Sequence, residues 1–166
     1  MYTTGMVTMP ESIRPVAETK NPAPGICLPV IVNFCQYHKI PYNFTVFPNY
    51  MGNFGQRDAQ HELELYDAIV DVRCYELAAL FLCSVFVPKC GSRGQVVRPC
   101  SSLCHQTKRR CGFFLEVFGL TLPDYLHCDL FPESTNPDEC VGHYEVIEAA
   151  KRAEKPGQSR TTGGAG

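Results

Sequence analysis

The sequence predicts a small, mainly helical, disulfide-rich domain. Three observations carry that expectation. Ten cysteines fall within the 114 residues from Cys27 to Cys140, with no tryptophan anywhere in the chain. A cysteine share near 9% belongs to scaffolds cross-linked in oxidising compartments, where small domains lack the core to fold unaided. Three stretches within the cysteine-bounded region, and one after it, carry helical spacing or an unbroken apolar run too long for a strand. Finally, 166 residues suffice for one domain with flanking segments.

Charge and length exclude several functions. The formal net charge of −2, from 15 basic and 17 acidic residues, argues against nucleic-acid binding, which demands a basic excess. The longest apolar stretch, Leu77 to Val87, is half of what a bilayer crossing needs. Residues 1–25 contain Pro10, Pro15, Pro22 and Pro24 and no secretory core, so they read as a disordered N-terminal segment. Since the cysteines demand export, the chain reads as part of a larger exported protein. The expected localisation is extracellular, on a cell-surface ectodomain or a secreted protein.

The first helix is expected over Arg57–Val72. Leu63, Tyr66, Ile69 and Val70 recur at steps of three and four, while Asp58, Glu62 and Asp71 stay wet. A second, buried helix is expected over Cys74–Val87, ending before Pro88. A third covers about Cys100–Phe118 and stops at Gly119, a residue suited to the left-handed helix end. Cys100, Cys104 and Cys111 share one stripe of it, and Lys108, Arg109 and Arg110 give it a basic turn read as a solvated face. Around Ile40–Pro48 and Val96–Arg98 the chain offers short strands or extended loops. A short charged helix is expected over His143–Glu154, then a Gly/Ser/Thr-rich linker over Lys155–Gly166.

Ten cysteines allow about 945 complete pairings, and the residues alone do not choose among them. Zinc sites repeat a closely spaced ligand pair. Here Cys100 and Cys104 form one such pair with no second, and the redox motif Cys-X-X-Cys is absent. The cysteines are therefore read as structural, with no metal and no cofactor. His38, His61, His105, His127 and His143 share no ligand spacing. No Gly-X-Ser-X-Gly elbow is present, so no catalytic residue is assigned. Asn43-Phe44-Thr45 fits the N-glycosylation acceptor pattern and places Asn43 on the surface.

The residues around the cysteines resemble the Frizzled-type cysteine-rich domain. The matching pieces are Cys27-Leu28-Pro29-Val30, Tyr42-Asn43-Phe44-Thr45 with Pro48-Asn49 close behind, Leu80 to Cys90, Arg98 to Cys104, Lys108 to Cys111, Phe118-Gly119-Leu120, Cys128 to Pro132 and Cys140. The resemblance places such a domain at 26–144, followed by the helix and linker at 145–166. It implies a helical fold with a short two-stranded sheet and five disulfides. These would join Cys27 to Cys90, Cys35 to Cys83, Cys74 to Cys111, Cys100 to Cys140, and Cys104 to Cys128. It further implies a non-catalytic ligand-binding module of Wnt signalling, which takes the lipid of an acylated Wnt-type protein, or a free fatty acyl chain, into an apolar groove. The matching groove positions are Val46, Leu65, Tyr66, Ala68, Ile69 and Val85. Weak homodimers through helical faces are compatible with the family, although no long exposed apolar stripe stands out in the sequence. The Tyr-Asn-Phe-Thr and Pro-Asn-Tyr pieces look more like copies in mosaic proteins such as corin-type membrane proteases, which implies a recognition or spacing role with a non-Wnt partner.

Overall fold

The computed structural model describes residues 23–154, apart from 121, 124 and 125. The expected linker at 155–166, and all but the last three residues of the expected N-terminal segment, lie outside the described residues. In chain order the elements are β1 (Leu28–Pro29), α1 (Asn33–Tyr37), β2 (Phe44–Thr45), α2 (Gln56–Leu63), α3 (Asp67–Asp71), α4 (Ala78–Phe86), β3 (Lys89–Cys90), β4 (Val96–Val97), α5 (Ser101–Val117) and α6 (His143–Ala153). Single 3-10 turns at Glu64–Tyr66 and Cys128–Leu130 complete the list.

All nine residues of α4 are buried, and α1, α2, α3 and α5 pack around it. Its one hydroxyl, on Ser84, donates to the Phe81 carbonyl at 2.7 Å, so the apolar surroundings leave it satisfied. The helix starts at Ala78, four residues later than the cysteine at Cys74 suggested. Arg73 takes a left-handed φ of 57°, which reverses the chain, and Tyr75–Leu77 form a turn closed by Ala78 N–H to the Tyr75 carbonyl.

The helix expected over Arg57–Val72 is broken in two by the turn at Glu64–Tyr66. In a 3-10 turn residues three apart eclipse one another. That geometry keeps Leu63, Tyr66 and Ile69, each three apart, on the buried side. α5 follows the expected span and ends as its Gly119 requires. Gly119 has φ 71°, and Leu120 N–H reaches back to the Leu115 carbonyl at 2.8 Å, the closing bond of a left-handed cap. α6 also matches, and it begins after Gly142 at φ 110°. A Cβ on Gly142 would stand 2.7 Å from Leu103 Cδ2, so both backbone and packing select glycine here.

The sheet has four two-residue antiparallel strands in the order β1-β2-β3-β4, not two strands. Leu28 pairs with Thr45, Thr45 with Lys89, and Lys89 with Val97. Strands this short carry no alternation for the sequence to reveal. Gln56, at the start of α2, binds β1 through its amide. It accepts Ile31 N–H at 2.8 Å and donates to the Pro29 carbonyl at 2.9 Å.

Five disulfides join Cys27–Cys90, Cys35–Cys83, Cys74–Cys111, Cys100–Cys140 and Cys104–Cys128, and no described cysteine is free. These are the pairs the family resemblance implies. Cys35–Cys83 fastens α1 to α4, and Cys74–Cys111 fastens the turn before α4 to α5. The last two hold the segment after α5 against its first turns. Each such link contributes typically about 2–4 kcal/mol by restricting the unfolded chain.

Candidate functional site

The six groove positions do not share one accessible wall. The turn at Glu64–Tyr66 points Leu65 outward, 63% exposed, while Tyr66 and Ile69 turn towards α4. The Tyr66 ring packs on Phe86 with centroids 5.5 Å apart and planes tilted by 51°. Ile69 and Val85 are 2% and 0% exposed and belong to the same core cluster as Tyr66. Val46, next to β2, is buried as well, and Ala68 is half-buried. An acyl chain would reach Val46, Ile69 or Val85 only by displacing these side chains from one another.

Carboxylates surround this region. Glu62, Glu64, Asp67 and Asp71 are all exposed on the α2–α3 segment. Partial burial holds the Asp67 carboxyl above the usual range, and neighbouring Asp71 and Glu64 push it the same way, against a smaller opposing pull from His38. Burial, and then Glu62, raise the Tyr66 phenol. A free fatty acid carboxylate would meet like charge at this mouth, whereas an acyl ester would not.

The basic turn of α5 divides. Lys108 is tied down, its Nζ donating to the Leu126 carbonyl at 2.5 Å, so it is not part of a solvated face. Arg109 and Arg110 are exposed. The Arg110 guanidinium stands 5.4 Å from the Tyr75 ring centroid, and its Nε donates to Gln106 Oε1 at 3.2 Å. Next to it Arg152 of α6 forks onto Glu76, with Nη2 and Nε 2.8 and 3.1 Å from Oε1.

Asn43 is exposed, while Thr45 of the same sequon is buried in the centre of the sheet. Among the histidines, His105 pairs with Asp129 at 2.8 Å and His143 Nδ1 lies 2.6 Å from Glu133 Oε2. Among the described residues no group of three or more His, Cys, Asp or Glu could hold a metal ion. No described helix is long and apolar enough to cross a membrane.

Two polar centres escaped the sequence reading. Asn49 is buried and makes four bonds. Its Nδ2 donates to the Phe86 carbonyl at 2.7 Å and to Asn53 Oδ1 at 2.9 Å, and its Oδ1 accepts from Met51 N–H and Asn53 N–H. It thereby caps the last turn of α4. Glu133 joins two helix starts, accepting from Ser102 N–H at 2.8 Å, from the Ser102 hydroxyl at 3.0 Å, and facing His143 of α6. Isolated polar residues in loops follow no periodicity, so the sequence marked Asn49 only as part of the Pro-Asn-Tyr piece, without a role, and did not mark Glu133.

The pattern of bridges, the buried α4 and the segment folded back on α5 can be set against known proteins. The family model for the Fz domain matches residues 27–135. This chain belongs to the Fz-domain family. Among curated relatives, the atrial natriuretic peptide-converting enzymes of Rattus norvegicus, Mus musculus and Homo sapiens are 37%, 36% and 35% identical over 126 residues, which is 74% of this chain. The match spans only 11–12% of those relatives' length. Among solved structures, the crystal structure of the selenomethionine-labelled Smoothened CRD superposes with a TM-score of 0.51 at 27% identity. That match covers 63% of this chain and 87% of the Smoothened CRD chain. The fold is therefore that of an extracellular-type Fz module.

Proposed function

We propose that this Fz domain is a non-catalytic extracellular recognition module of a mosaic protein, engaging its partner through solvent-facing side chains rather than an enclosed lipid trough. The observation that carries this reading is the filling of the groove region by its own Tyr66, Ile69, Val85 and Phe86. The likeness to the natriuretic peptide-converting enzymes supports the mosaic setting, since in them the matching region is a small fraction of a long chain. Every described cysteine is bridged, which leaves none of them as a thiolate nucleophile. Asn43, exposed beside β2, would carry a glycan in the secretory pathway.

The second reading is capture of an acylated Wnt-type protein or a free fatty acyl chain. Its support is the family resemblance, together with Leu65 standing exposed at the mouth of the region. Each buried methylene of an acyl chain gains about 0.8 kcal/mol, but entry requires α3 to move away from α4. The two readings separate by calorimetric titration of the oxidised domain with palmitoleic acid and with an acylated Wnt-type protein. Surface recognition predicts no saturable lipid binding, and no dependence on Leu65→Glu of any residual heat. Stoichiometric binding that Leu65→Glu abolishes, in a variant that keeps its fold, would establish the trough instead.

A further inference from the structure

The exposed side of α5 carries an unusual combination of charge and apolar surface. Gln106, Arg110, Phe113 and Val117 lie at i, i+4, i+7 and i+11, which puts them on one stripe. The first half of that stripe is polar and cationic. The second half is apolar and faces water, with Phe113 70% and Val117 60% exposed. No long apolar stripe stood out in the sequence, because within α5 the buried Leu103, Cys104, Thr107, Cys111 and Leu115 claim the recognisable core spacing.

The cationic half is built up from two chain segments. Arg109 precedes Arg110 on α5, and Arg73 comes just before Cys74, whose disulfide to Cys111, the residue after Arg110, has Cα atoms 5.2 Å apart. Arg73, Arg109 and Arg110 are exposed, and none forms an ion pair with a carboxylate among the described residues. Arg110 is held in place by Gln106 and by the Tyr75 ring, so less side-chain freedom is lost when it meets a carboxylate.

We infer that this surface docks an acidic peptide segment of another protein, with carboxylates on Arg73, Arg109 and Arg110 and an apolar side chain over Phe113 and Val117. Charge complementarity selects an anionic partner, and arginine forks suit carboxylates. The apolar half selects protein over a sulfated glycan, which would leave Phe113 and Val117 in water. Pairing of this surface with the acidic α2–α3 segment of a second copy would be a heterologous, open-ended contact. The inference rests on the reading of the domain as a surface-recognition module and assigns it a surface and a partner chemistry.

The test is fluorescence anisotropy of the oxidised protein with a labelled synthetic peptide of Glu, Leu and Phe. A Glu/Ser peptide and heparin serve as competitors. The expected result is saturable binding, weakened about tenfold or more by Arg109→Glu with Arg110→Glu, and severalfold by Phe113→Ser. Arg73→Glu with Arg109→Glu leaves the Tyr75 contact intact and gives the same loss, which separates docking from misfolding. Absence of peptide binding overturns the inference. So does indifference to Phe113→Ser with heparin competing as well as the apolar peptide, which describes a glycan site. Sedimentation showing that copies associate through Arg110 overturns it in favour of self-assembly. Palmitoleate binding reports on the parent reading separately, so either can fail without the other.

Discussion

Replacing Ile69 by alanine tests whether the α3–α4 region is core or ligand wall. Ile69 is 2% exposed between Tyr66 and α4 and belongs to the main core cluster. Truncation removes its branched side chain beyond Cβ. At about 0.8 kcal/mol for each buried CH₂ equivalent, the transfer loss is roughly 2.4 kcal/mol. The cavity left behind brings the expected total to about 3–4 kcal/mol, within the usual range for this change. For a domain of this size that corresponds to roughly 10–15 °C in Tm. Leu65, four residues earlier and 63% exposed, supplies the internal control, because Leu65→Ala removes little buried surface and should cost about 0.5 kcal/mol or less. Guanidinium denaturation of the oxidised proteins, with bridges verified by mass before unfolding, reads both values. Equal and small losses at the two positions would refute the reasoning, since a solvent-lined wall gives that pattern and a packed core does not.

Three further outcomes follow from the same contacts. Asn49→Ala removes the amide that serves the Phe86 carbonyl and the 51–53 loop, leaving buried groups unpaired. Chemical denaturation should show a loss of about 3 kcal/mol, and a loss below about 1 kcal/mol would mean water replaces the amide. Gly142→Ala forces a left-handed conformation on an alanine whose Cβ crowds Leu103, so a Tm scan should record a destabilisation of about 2 kcal/mol or more. Glu133 responds to pH. Burial alone would raise its carboxyl, but the bonds from His143 and from the Ser102 N–H and hydroxyl together hold it below the ordinary value of 4.5. A depressed carboxylate stabilises the fold above its unfolded value and loses that contribution as pH falls through the folded one. The Tm gap between the parent and Glu133→Gln should therefore be full at pH 6 and narrow below pH 4.5, and a gap that widens on acidification would contradict the assignment.

The elements that the sequence made legible are those with a local cause. α5 stops at Gly119 because only the chain's own cap chemistry is involved, and α6 follows its charged amphipathic stretch. The buried α4 showed itself as an apolar run ended by Pro88. What stayed hidden depends on partners far away in the chain. The break at Glu64–Tyr66 arises where Tyr66 meets Phe86, twenty residues on. The four short strands are defined by pairing and by the Gln56 amide, not by pattern. Cysteine pairing was open to the residues alone and was narrowed by family resemblance. The groove positions illustrate the reverse difficulty. Helical spacing at Leu65, Tyr66 and Ile69 is the same whether a face is packed or available, and only the position of α4 distinguishes the two.

The most direct measurement is methyl NMR of Val46, Ile69 and Val85 in the oxidised domain during titration with methyl palmitoleate, whose ester carries no charge to be repelled by the α2–α3 carboxylates. Surface recognition predicts that all three sets of methyl signals stay in place. A joint, saturable displacement of these signals would mean that α3 and α4 part to admit lipid, and that this Fz domain works as a trough.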